Sequence, residues 1–118
     1  MALHSVKAFT KLVSAMAGVT LVEQWESHVA KVGGKVFALI GTDGGHIVFK
    51  VSEIGFDGLT ALEGIEQAPY FAKRQWVSVG KGAALSDGEL KGYIAASYAI
   101  IAGKLTRKLR AELGISVA

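Results

Sequence analysis

Cysteine is absent from this 118-residue chain. A disulfide framework, a thiolate zinc site and a cysteine nucleophile are therefore excluded. That composition fits a reducing compartment, and cytoplasmic location is the expectation. Long apolar runs are also missing. The most hydrophobic window, Tyr93 to Leu105, is broken by Gly103 and Lys104. It falls short of the roughly 20 apolar residues that a bilayer crossing needs, so no membrane association is expected. The start, MALHSVKAF, lacks the basic n-region, apolar stretch and small-residue cleavage site of a signal peptide. Proline occurs once, at Pro69. Histidine is scarce: His4, His28 and His46 are the whole supply. Two imidazoles in neighbouring β segments, with no carboxylate motif beside them, make a poor metal site, and none is expected.

What is present suits one ordinary domain spanning residues 1–118. Half the residues (51%) are hydrophobic and 19% are charged, which is enough apolar material for a real core. The net charge is +3, and it is unevenly spread. Residues 1–72 hold five lysines against seven acids. Residues 73–118 hold eight lysines and arginines against three acids. A basic C-terminal half can steer anions, nucleic acid among them.

Apolar spacing at Leu3, Val6, Phe9, Leu12, Val13 and Met16 predicts an amphipathic helix ending near Gly18. VTLVEQWE, residues 19–26, reads equally as loop or short strand. Three β segments follow: SHVAKV, KVFALIGT and HIVFKVS, separated by Gly33-Gly34 and Asp43-Gly44-Gly45. Such glycine pairs supply the positive φ of tight hairpins, so these three form a meander. Ser52 caps a short helix, roughly Glu53 to Gly64, weakened by Gly55 and Gly58. Pro69 makes a corner, and Gln75 to Val79 alternates as a further strand. Ser86-Asp87-Gly88-Glu89 is a capping box that opens one long helix, with Leu90, Ile94, Ser97 or Tyr98, Ile101, Leu105 and Leu109 as its apolar stripe. The expected fold is α+β: an antiparallel sheet, made of a three-stranded meander plus a later strand, flanked by N-terminal and C-terminal helices.

Catalytic chemistry finds no foothold. The glycine pairs do not follow a phosphate-loop pattern, no Gly-x-Ser-x-Gly elbow exists, and Glu23/Glu26 and Glu63/Glu66 read as solvated surface. No catalytic residue, metal or cofactor is assigned, and an enzyme is not expected. The cations Lys73 and Arg74 beside Trp76, together with Lys104, Arg107, Lys108 and Arg110, are the better lead. Joined after folding, they would form one anion-binding surface, with Trp76 as a stacking platform or as packing beneath a helix.

Three blocks give the chain a family likeness: KVGGKVFAL (31–39), APYFAKRQWVSV (68–79) and SDGELKGYIAASYAIIAGKLTRKLRAEL (86–113). In this order and spacing they resemble the MmcQ/YjbR-like family, small bacterial proteins labelled as DNA-binding. The resemblance spans most of residues 19–113. It implies an α+β fold akin to secretion chaperones and a double-wing arrangement whose hairpins approach DNA. Matching positions are Lys35, Tyr70, Lys73, Trp76, Ser97, Tyr98 and Lys104. Two departures stand out: Thr106 where the family often has proline, and Glu26-Ser27-His28 after Trp25.

The sequence thus predicts a non-enzymatic protein that binds nucleic acid, DNA in the first instance, through phosphate contacts. Its nucleic-acid-binding residues would be Lys35, Lys73, Arg74, Trp76, Lys104, Arg107 and Lys108. The alternatives are a protein-interaction module with a protein partner or a homodimer interface, and a small-ligand regulatory domain with a pocket near Trp76 and Tyr70.

Overall fold

The computed structural model describes residues 3–115. In chain order the elements are α1 (Val6–Ser14), β1 (Val19–Gln24), β2 (Ser27–Val32), β3 (Lys35–Gly41), β4 (His46–Lys50), α2 (Glu53–Thr60), β5 (Ile65–Gln67), β6 (Trp76–Gly80), α3 (Asp87–Ala102) and α4 (Arg107–Glu112). The strands form one six-stranded antiparallel sheet in the order β1-β2-β3-β4-β6-β5. The α+β class, the meander and the later strand stand as expected. The sheet is wider by two edge strands, β1 and β5.

Hairpin geometry sets the register. Gly33 and Gly34 both take positive φ, +59° and +81°, so β2 and β3 connect through two residues. Gly33 is fixed a second way: a Cβ built there would lie 2.7 Å from both terminal carbons of Leu105. The hairpin therefore sits directly on the chain leaving α3.

Alternation along each strand sorts side chains onto two faces. Val32, Ile40, Ile47, Phe49, Val77 and Val79 point to one face and are almost fully buried. Helices α1 and α3 cover them with Phe9, Val13, Leu90, Ile94 and Ile101, while α2 adds Leu59. Each such side chain contributes about 1.5–3 kcal/mol by leaving water. Among the described residues, no helix packs on the other face. It carries a smaller apolar cluster, Val29, Leu39, Val48 and Ala68, with Val36, Phe71 and Trp76 beside it.

The predicted long C-terminal helix is two helices. It stops at Ala102, turns through residues 103–106, and restarts where the Thr106 hydroxyl accepts from Leu109 N. Threonine here performs an N-cap role, satisfying an amide that has no helical partner. Of the two stripe candidates, Ser97 is the buried one. It donates to the carbonyls of Lys50 and Tyr93, pinning α3 to the end of β4. The Tyr98 hydroxyl donates to Ala17 O. Both act as structural ties.

Candidate functional site

Strand ends place the basic residues. β2 ends and β3 begins at the Gly33-Gly34 hairpin; β4 ends at Lys50; β6 begins at Trp76. These termini lie side by side at one end of the sheet. Lys35 is the first residue of β3 and exposed. Lys104 precedes Leu105, whose side chain touches Gly33, so it stands next to the same hairpin. Lys73 is exposed in the loop before β6, and Gln75 O accepts from Val51 N, which ties that loop to the end of β4. Arg107 and Lys108 are exposed in the first turn of α4.

Lys50 belongs to this group, although the sequence did not single it out. Its signal was visible: it shares the mixed face of the third β segment with His46 and Val48. Its residue is only 7% exposed. The ammonium donates to Gln75 Oε1 and lies 5.9 Å from the centre of the Trp76 ring. Desolvation, and secondly the charge of Lys104, hold its pKa below the usual lysine range. Among the described residues, Lys35, Lys50, Lys73, Lys104, Arg107 and Lys108 form no ion pair.

Two predicted members differ. Arg74 turns away: its guanidinium bonds Asp57 at 2.9 Å and lies 5.5 Å from the Phe56 ring centre, so α2 neutralises it. Hydrogen bonding to Asp57, then its charge, push the Arg74 pKa upward. Trp76 is half-buried on the helix-free face, where no helix packs, and its neighbours are Phe71, 4.6 Å between ring centroids, and Lys50. Arg110 also departs from the expected cluster. It is half-buried, and its Nε is shielded without a hydrogen-bond partner among the described residues.

Registers define rows across the helix-free face. One row joins Lys31 to Val36 and Lys50 to Trp76. The next runs Val22, Val29, Leu39, Val48, Ser78, Glu66. A third sets Ser27 against Gly41 and His46 against Gly80. Charge thus falls off from the basic end, through an apolar band, to a row with little side-chain bulk. Over that last part lies a groove of about 870 Å³. Alternation also separates the two histidines of the meander, since His28 pairs with inward-facing Ile40 while His46 lines the groove. No cluster of three metal-ligating side chains occurs among the described residues.

The loop before β6 overhangs this face. Gln67 organises it: Nε2 donates to the carbonyls of Ala68, Phe71 and Ala72, and Oε1 accepts from Arg74 N at 2.8 Å. Tyr70, next to the Pro69 corner, is fully exposed with φ of +69°. The half-buried Phe71 is the anchor, meeting Trp76 and, edge-on at 6.4 Å, Trp25.

An antiparallel six-stranded sheet, helices on one face and a bare opposite face define a class of small α+β proteins. The YjbR family model matches residues 14–100, and the chain belongs to that family. Its fold is similar to that of the Deinococcus radiodurans protein DR2400, which holds the domain DUF419: TM-score 0.86, 22% identity, covering 95% of this chain and 89% of that one. A Pseudomonas syringae protein is also similar, with TM-score 0.67, 18% identity and coverage of 80% and 97%. No curated protein matches the chain. No helix among the described residues is long and apolar enough to cross a membrane.

Proposed function

We propose that the protein is a non-enzymatic, cytoplasmic DNA-binding protein that engages the phosphate backbone with the basic end of its sheet. The observation that supports this is the Lys50–Lys104 pair. Lys50 is buried with its ammonium on Gln75, Lys104 stands at the same end of the sheet, and no carboxylate is paired to either among the described residues. A phosphate at that end of the sheet would offset the unpaired positive charge there. Lys35 and Lys73 flank that point, and Arg107 and Lys108 extend it along α4. The β2–β3 hairpin is the natural wing, since it lies at that end and Lys35 follows its turn.

Arg74 is excluded from the contact set, because Asp57 already satisfies it. Trp76 supports Lys50 and does not offer an open platform. No base-reading helix is invoked, so sequence preference is low.

Amide shift mapping with a short duplex and a matching single strand at low salt tests the proposal. Shifts should gather at residues 33–35, 50–51 and 104–105. Absence of any shift with both nucleic acids rejects it.

A further inference from the structure

The groove on the helix-free face is built by omission. Its floor is the row in which Ser27 meets Gly41 and His46 meets Gly80, plus the flat apolar tops of Leu39 and Val48. Ser27, Gly41 and Gly80 carry little side chain there, so the sheet surface is hollow beside His46. Loops supply the walls: Trp25 from the β1–β2 turn, and Tyr70 and Phe71 from the loop before β6.

Those walls are held in an unfavourable backbone. Among the described residues, four non-glycine positions have left-handed φ: Trp25 (+55°), Glu26 (+56°), Tyr70 (+69°) and Arg74 (+64°). All four lie in the two loops that frame the groove. Consecutive positive φ at Trp25 and Glu26 is a tight hairpin turn that ordinarily takes Asn-Gly. A tryptophan there costs stability, and core packing does not explain it, because Trp25 is 62% exposed. Strain of this kind persists where the surroundings or a function require it.

The charge of the lining points to one class of ligand. Glu66 is the sole formal charge on it apart from the titratable His46. Glu66 forms no ion pair among the described residues, and it pairs in register with Ser78. No lysine or arginine reaches the groove. We infer that this groove binds an organic cation with an apolar or aromatic body. The ammonium sits against Glu66, the aromatic walls face the cation, and Leu39 and Val48 receive the body. Anionic molecules are disfavoured here, which separates the site from the lysines at the other end. The inference therefore stands independently of DNA binding.

Benzyltrimethylammonium is a suitable test ligand, with benzoate and benzyl alcohol as anionic and neutral counterparts. The cation should produce saturable amide shifts centred on Ser27, Gly41, Phe71 and Ser78, and benzoate should not. Glu66→Gln should weaken binding about tenfold while leaving the exposed site folded. Trp25→Asn is the sharper variant. It should raise the melting temperature, because asparagine tolerates left-handed φ, and weaken the cation by a similar factor. Equal response to benzoate, absence of saturable shifts with the cation, or undiminished affinity in Trp25→Asn each overturns the inference.

Discussion

Single side chains decide whether this protein presents charge or hides it. Lys50 is the clearest case. Its folded pKa is lowered by burial and then by Lys104, so near its titration the folded state holds fewer protons than the unfolded state. Stability therefore rises with pH as it climbs from the folded pKa of Lys50 to the ordinary lysine value. Lys50→Met should remove that rise, measured by urea unfolding at several alkaline pH values, and reduce the salt slope of DNA binding by about one. A variant that keeps both the alkaline rise and the wild-type slope would show that Lys50 is neither strained nor in contact. Gly33 is the second case. Its positive φ and its 2.7 Å approach to Leu105 both forbid a side chain. Gly33→Ala should cost about 1–3 kcal/mol in chemical denaturation and displace the hairpin from Lys104.

At the scale of elements, the sequence made the meander, β6 and the start of α3 legible. Glycine pairs, alternation at Ile47, Phe49 and Val51, and the Ser86–Glu89 box each have a local physical cause. The box forms in full: Ser86 Oγ accepts from Glu89 N, and the Glu89 carboxylate accepts from Ser86 N. Those bonds lower the Glu89 pKa. Their stabilisation is present above the usual carboxylate range and is lost as pH falls through the folded value. Ser86→Ala should cost about 1 kcal/mol at neutral pH, read from the unfolding midpoint, and Glu89→Gln should flatten that acidic loss.

Other elements left weaker traces. β1 is an exposed edge strand whose side chains show no inside-outside contrast, so VTLVEQWE carried no clear period. β5 is three residues long. The break between α3 and α4 needed Thr106 to be read as a second cap. The cation cluster was half legible. Lys35, Lys73 and Lys104 stand at one end of the sheet, while Arg74 is taken by an acid on α2, a pairing of residues 17 apart that no local pattern announces. The groove was illegible because its floor consists of absent side chains, and its walls depend on left-handed backbone at Trp25 and Tyr70.

Across the whole molecule, unpaired lysines gather at one end of the strands, although Glu53 and Asp57 of α2 also lie near that end and Lys81 follows β6 at the other. Lys35, Lys50, Lys73 and Lys104 occupy one end. Glu23 precedes the opposite hairpin turn and Glu26 lies in it, Asp43 sits in the β3–β4 turn, and Asp87 opens α3 beside Leu3 at that same far end. The N-terminal segment closes this end, with the His4 ring against Val79 O. Such a distribution orients the protein toward a polyanion before contact, and it makes association sensitive to salt.

Fluorescence anisotropy of a labelled DNA oligonucleotide across a salt series tests the basic end most directly. About four engaged cations give a slope of log affinity against log salt near about −4. The expected slope is about −4 for the natural sequence and about −1 when Lys35→Gln, Lys50→Gln and Lys104→Gln are combined in one chain. No binding at low salt, or an unchanged slope in the combined variant, would contradict it.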